Sequence, residues 1–290
     1  MPTRTVRLRS PLNLRLTLAP LRRGAGDPSM RLAGDGAWRA TRTPDGPATL
    51  HLSVADDRLR AEAWGPGATW ALETTPALVG EDDDTPGFTP LHPVVADAAR
   101  RLPGLRLCRS GRAVEVLVPT IIEQKVIGKE ARRSYAALVR ALGERAPGPV
   151  PLLVPPTPER IAATPSWAFH RWGVERKRAD TVRRACSVAR RLEEDPSRLQ
   201  KLPGVGPWTD AEVRRLAFGD PDAVSVGDYH LPSLVSWCLA GEAQGDDTRM
   251  LELLEPYRGH RGRVQRLLEA GGTGAPRFGP RLPLQHIAPL

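Results

Sequence analysis

The 290-residue chain has only three cysteines, Cys108, Cys186 and Cys238, far apart in sequence. Three thiols cannot pair completely, and none sits in a CxxC pair. That excludes a disulfide framework, and a four-cysteine iron–sulfur or zinc site built from this chain alone. Long apolar runs are missing too. No stretch approaches the roughly 20 residues that cross a bilayer. The first ten residues, MPTRTVRLRS, are basic but lack the apolar core of an export signal, so the cytoplasm is the expected compartment. Lysine is absent from residues 1–88.

What is present reads as a soluble globular protein, with 40% hydrophobic and 26% charged residues. The net charge is +9 and unevenly spread. Residues 1–88 balance eleven Arg against eleven acidic residues, and the other 202 carry 31 basic against 22 acidic residues. A basic region beside a neutral one suits a polyanion partner. Arg greatly outnumbers Lys, and 30 Pro with 27 Gly point to a GC-rich coding bias that raises Arg without any function. Both readings stand on charge alone.

Period-2 alternation dominates the first 80 residues. LNLRLTL (12–18) sets four leucines against Asn13, Arg15 and Thr17, which predicts a half-buried strand. TLHLSV and RLRAEAW flank ADD in a hairpin pattern, and a short helix is expected near 74–80. GEDDDTPGFTPLHP (80–93) is a polar, proline-rich break, taken as a domain boundary. Beyond it the pattern is helical. PVVADAARRL has a helical stripe, and residues 114–142 form a long helical stretch with Pro119 expected in the first turn of its second part. ERAPGPVPLLVPPTPER is a loop, and RWGVERKRADTVRRACSVARRLEE a basic helix. Three more helices are expected near 230–240, 246–255 and 259–270. The fold class is therefore α+β: a small antiparallel sheet domain (1–88), a helical region (89–270) and an extended C-terminal tail (271–290).

One stretch is more specific. In LPGVGPW (202–208), Gly204 and Gly206 allow positive φ and remove Cβ atoms, so a partner can approach the backbone. The helix that follows offers unpaired N–H groups at the positive end of its dipole, a cradle for phosphate. Thr209 and Glu212 fit a capping box at its start. An ordinary tight turn would also use Pro and Gly. Twenty residues after Trp208, VSVGDYHLP carries Asp228, a good helix cap and a carboxylate among apolar neighbours.

LPGVGPWTDAEVRRLAFG followed by VSVGDYHLP resembles the hairpin and catalytic-aspartate loop of the helix–hairpin–helix (HhH-GPD) DNA glycosylase superfamily. Trp208 and the twenty-residue spacing are most similar to the 3-methyladenine DNA glycosylase II type. PTIIEQKVIGKEARR and WGVERKRADTVRRA resemble two further helices of that family. The resemblance covers roughly residues 90–270 by motif and 1–88 by architecture.

The resemblance implies a monomeric base-excision-repair enzyme of the cytoplasm and nucleoid. Its partner would be double-stranded DNA containing a damaged base, with no membrane and no organic cofactor. Asp228 would be catalytic, stabilising the cationic sugar that develops as the glycosidic bond breaks. Leu202, Gly204, Val205 and Gly206 would hold a phosphate by their backbone, with a cation bridging to the hairpin as the one metal role. Trp208 stands where relatives that cut the strand carry an imine-forming lysine, so the reaction would stop at the abasic site. Trp208, Glu212 and Tyr229 would line the base pocket. Gln124 or Lys125 would fill the gap left by the flipped base. His230 is either a phosphate contact or a surface histidine, and it has no clustered His partner for a metal. Arg176, Lys177, Arg178, Arg183 and Arg184 form either a solvated face or a track for the DNA backbone.

Two positions depart from the family. Glu212 and Arg266 stand where this type carries pocket aromatics, with Tyr257 and Trp237 as candidate replacements. Alkylated purines are the first expectation for the lesion, and oxidised or deaminated bases stay open. A non-catalytic DNA-binding protein of the same fold is the alternative outside the enzymes.

Overall fold

The computed structural model describes residues 2–83, 85 and 87–276. Most of the tail expected at 271–290 lies outside the described residues. No helix among those described is long and apolar enough to cross a membrane.

The chain opens with β1 (Thr3–Arg7), a short helix α1 (Leu14–Leu18), then β2 (Met30–Ala33), β3 (Gly36–Thr43), β4 (Gly46–Ala55) and β5 (Arg58–Trp64). These five strands form one antiparallel sheet in the order β1-β5-β4-β3-β2. The 49–64 hairpin forms as its alternation predicts, with Asp56 and Asp57 at the turn. LNLRLTL does not form the expected strand. The Asn13 side chain accepts a hydrogen bond from the Leu16 N–H and starts α1 instead. An Asn three residues ahead of a free N–H offers a helix cap that overrides alternation in so short a segment.

Short helices α2 (Ala68–Glu73) and α3 (Thr75–Leu78) lead to α4 (Pro93–Arg101). Next come α5 (Ala113–Glu123) and α6 (Gly128–Leu142). Pro119 lies inside α5, and the break falls at residues 124–127, where Lys125 has φ 55°. Helix α5 is buried around almost its whole circumference, as expected of a central helix. Glu115 binds it to the sheet, accepting from Arg39, Thr41 and the Arg42 N–H. Glu193 caps its start through the Ala113 and Val114 N–H groups.

The expected loop at 144–160 contains a minute ribbon, β6 (Glu144–Arg145) and β7 (Leu153–Val154), and then enters α7 (Pro158–Ala163). The ribbon covers one face of the sheet, burying Ala146, Leu152 and Val154 against Trp38 and Trp64. The basic stretch at 171–194 is not one helix. A 3₁₀ turn (Ser166–Trp172) precedes α8 (Arg176–Ser187) and α9 (Ala189–Glu194). A second 3₁₀ turn (Pro196–Lys201) leads into the hairpin and α10 (Pro207–Val213), which widens into a π-type turn over Arg214–Phe218. Helices α11 (Leu231–Ala240), α12 (Asp247–Leu254) and α13 (Arg261–Gly271) follow where expected.

Two apolar cores result. The larger joins the sheet (Leu50, Leu52, Leu59) to α5 and α8 (Leu117, Ile121, Val182). The smaller gathers α4, α11, α12 and α13 around Val95, Val235, Met250 and Val264. The polar break at 80–93 is anchored between them. Glu81 accepts from Arg106 at 2.6 Å, and Asp83 accepts from Arg263 at 2.5 and 2.8 Å and from the Leu107 N–H at 3.0 Å. The Asp83 and Arg263 side chains are 7% and 5% exposed, so the pair is cut off from water. Removing one partner of a buried ion pair costs about 3–5 kcal/mol. Asp83→Ala is therefore expected to lower unfolding free energy by about 3 kcal/mol in urea denaturation, whereas Asp57→Ala, on the exposed surface, changes it by less than about 1 kcal/mol.

Candidate functional site

The hairpin at 202–206 is held from inside by apolar anchors. Leu202 and Val205 are buried, so they offer only backbone to a partner. Gly204 has φ 94°, and a Cβ there would lie 2.4 Å from the Thr181 hydroxyl on α8. Glycine is required at this position by the protein's own packing. Gly206 is different. Its φ of −98° suits any residue, and a Cβ built on it meets nothing within 4 Å. Nothing among the described residues demands glycine there, and the position is open on its outer side.

The capping box does not form. Helix α10 begins at Pro207 with Gly206 as its N-cap, and the Thr209 hydroxyl instead accepts from the Gln124 amide at 2.8 Å. The same amide donates to the Gly204 carbonyl at 2.9 Å. Gln124 thus bolts the end of α5 onto the hairpin. Arg184 does the same from α8, donating to the Pro203 carbonyl at 2.8 Å. The Pro203 and Gly204 carbonyls thus each accept a side-chain bond that braces the hairpin. Among the described residues no cluster of three His, Cys, Asp or Glu could hold a metal.

The basic helix divides by role. Arg178 is buried and donates to the Ile122 carbonyl, and Arg183 donates to the Ala162 carbonyl. With Arg184 these are tie bars between elements. Arg176 and Lys177 are exposed. Lys125, also exposed, stands next to Gln124 in a left-handed conformation that is rare for a side-chain-bearing residue.

Asp228 lies across from the hairpin helix. Its Oδ1 accepts from the His230 and Leu231 N–H groups at 2.8 and 2.9 Å, the first turn of α11. Its Oδ2 accepts from the Trp208 indole N–H at 3.1 Å. The carboxylate is thus both a helix cap and a partner of the hairpin tryptophan. Its loop is fixed from below, with the Gly227 N–H donating to Asp247 on α12 and the Asp228 N–H to the Ser225 carbonyl. The Asp247 contact had no signal in the sequence, because it spans twenty positions. Tyr229 is 82% exposed and packs edge-on against the exposed His230.

Glu212 turns into a polar seam. Its Oε1 accepts from the Ser225 hydroxyl at 2.5 Å and from Arg215 at 3.0 Å. Arg215 also reaches Glu269, and Gln265 joins Ser225 to Glu269. Burial works against the Arg215 charge, but the Glu212 and Glu269 carboxylates outweigh it and raise its pKa. The replacements suggested for the missing aromatics behave otherwise. Tyr257 is 3% exposed, its hydroxyl bonded to His92. Arg266 donates to the Leu16 carbonyl, and burial lowers its pKa. Trp237 is half-buried on α11. Burial raises the Cys108 and Cys186 thiols to about 11 and 12, which leaves them unreactive.

The two hairpin glycines separate cleanly by substitution. Gly204→Ala forces a strained φ and a clash, and is expected to cost about 1–3 kcal/mol in a thermal or urea melt. Gly206→Ala is expected to leave stability within about 0.5 kcal/mol of the parent. Equal losses at both positions would contradict this geometry.

No protein-family model matches the chain. In sequence it is 27% identical over 168 residues to DNA-3-methyladenine glycosylase 2 of Escherichia coli (strain K12), covering 54% of this chain and 58% of that one. The chain thus spans little more than half the length of the curated relative it matches. In fold it is similar to a 3-methyladenine DNA-glycosylase from Archaeoglobus fulgidus, with a TM-score of 0.75, 16% identity and coverage of 92% and 98% of the two chains. An 8-oxoguanine glycosylase/lyase from Clostridium acetobutylicum gives 0.71, 11%, and 93% and 96%. Over part of its length the chain is thus similar in sequence to a 3-methyladenine DNA glycosylase, and over most of its length it shares the fold of solved DNA glycosylases.

Proposed function

We propose that the protein is a monofunctional DNA glycosylase that removes a damaged purine, an alkylated one by first preference, and leaves an abasic site. The observation that carries this reading is the Asp228 carboxylate, pinned between the Trp208 indole and the first turn of α11 beside a phosphate-type hairpin. Double-stranded DNA would lie across the hairpin, with a phosphate against the backbone at Gly206, where no Cβ intervenes. The damaged nucleotide would leave the stack and bring its sugar to the Asp228 carboxylate beside Trp208. Lys125 is the better candidate for the gap it leaves, because Gln124 is committed to the hairpin.

Departure of the base builds positive charge on the sugar. A carboxylate whose position is fixed before the reaction stabilises that charge without reorganising. Three N–H donors hold Asp228, so it acts first as an oriented negative charge, and water completes the hydrolysis on the opposed sugar carbon. Trp208 has no amine to capture that carbon as an imine. Arg176, Lys177 and His230 are proposed to meet DNA phosphates, and Tyr229, exposed beside His230, is proposed to face the flipped base. No cofactor is required, and the chromosome is the proposed place of action.

A second lesion class has an observation in its favour. The fold is nearly as similar to an 8-oxoguanine glycosylase/lyase as to a 3-methyladenine glycosylase, and His230 is exposed two residues beyond Asp228. One assay separates the readings: base release from duplexes holding 3-methyladenine, 7-methylguanine, hypoxanthine, ethenoadenine, uracil or 8-oxoguanine. Release of a methylated purine without strand nicking is expected, with Asp228→Asn slower by at least about 100-fold, the scale of one lost charge-stabilising group. Gly206→Ala should weaken duplex binding at unchanged stability. Nicking without alkali would overturn the monofunctional assignment, and no release of any base would favour the non-catalytic alternative.

A further inference from the structure

The segment from Gly219 to Gly227 crosses from the larger core to the smaller one, and α13 grips it along its length. Asp222 accepts from the Gly259 and Arg261 N–H groups and from the Arg261 guanidinium. The Arg263 N–H donates to the Pro221 carbonyl. A Cβ on Gly262 would lie 2.4 Å from the Ala223 carbonyl oxygen. The segment, and Asp228 after it, is thus mechanically part of the smaller lobe.

Trp208 belongs to the larger lobe, so the Trp208–Asp228 bond has to be formed across a seam. A second bond crosses the same seam. Glu212, one helical turn beyond Trp208, accepts from the hydroxyl of Ser225, three residues before Asp228. The two bonds form parallel rungs between α10 and the crossing segment. Ser225 is 1% exposed, and all its polar atoms are engaged: the hydroxyl with Glu212 and Gln265, the N–H with Gln265, the carbonyl with the Asp228 N–H. A displacement at Ser225 is therefore passed directly to Asp228.

We propose that Glu212, acting through Ser225, is a positioning residue that sets the register of Asp228 against Trp208. The charge suits the role. A neutral acceptor would hold the hydroxyl more weakly, because bonds to ionised groups are about twice as strong. Arg215 balances the Glu212 charge inside the seam and holds the carboxylate in place. Glu212 thus exchanges the stacking surface of an aromatic for a fixed distance between lobes. The proposal rests on the glycosylase reading for its catalytic consequence, and on geometry alone for the placement of Asp228.

The test uses the full chain with Ser225→Ala, Glu212→Gln and their double variant. Ser225→Ala leaves the Glu212–Arg215 pair intact and is the variant of choice if Glu212 variants fold poorly. Three quantities are measured: single-turnover base release at saturating enzyme, affinity for an abasic-site duplex, and the indole N–H peak of Trp208 in a ¹H–¹⁵N spectrum, assigned with Trp208→Phe. Ser225→Ala is expected to slow release by about tenfold or more, the scale of a sub-ångström misplacement, with affinity within twofold of the parent. Glu212→Gln should fall between parent and Ser225→Ala, and the double variant should match Ser225→Ala, as one shared rung requires. The Trp208 peak should move in each variant while the other indole peaks stay. A Trp208 peak at its parent position in Ser225→Ala, or parental release rates in both single variants, would overturn the proposal. A moved peak in a protein that releases no base from any duplex would uphold the positioning and refute the glycosylase reading.

Discussion

The structure depends on one carboxylate serving two lobes. Asp228 ends the turn that starts α11, and its other oxygen meets the indole of Trp208 on α10. Capping fixes where the carboxylate points within the smaller lobe, and the indole fixes where that lobe stands against the larger one. On the proposed function, a charge that acts on a substrate held between two lobes needs both constraints. Preorganisation of this kind is what makes a fixed charge effective when a positive centre develops nearby.

The rest of the molecule supplies the frame. Helix α5 is buried along almost its whole length and tied to the sheet by Glu115, so its end arrives at the hairpin in a set position. Gln124 and Arg184 then convert that position into a rigid hairpin by bonding its carbonyls. Basic residues that look like a DNA-binding stripe in the sequence are partly consumed in this bracing. The electrostatic surface left for a polyanion is narrower than the helix composition suggests.

The carboxylates of the 80–93 segment make a related point. Composition marks that segment as a linker, and local propensity offers nothing to order it. Glu81 and Asp83 become clamps only because Arg106 and Arg263 arrive from far along the chain. Buried ion pairs of this kind fix relative placement more than they add stability. Here they hold the sheet lobe and α13 in one arrangement.

Patterns of local origin were legible in the sequence. The hairpin strands at 49–64, the later helices, the glycine hairpin and the spacing to Asp228 all follow from near-neighbour chemistry. Alternation misled at LNLRLTL, where one Asn cap outweighed it, and Pro119 was placed at a break that lies five residues later, at Gln124. The jobs of Gln124, Glu212 and Ser225 had no sequence signal, since each bonds across thirteen or more positions. The sequence by itself determined which residues can carry charge, cap a helix or admit a close backbone approach, because those are properties of single side chains and short turns. Only the tertiary structure decided which of them meet, because partners so far apart are chosen by how the two cores pack.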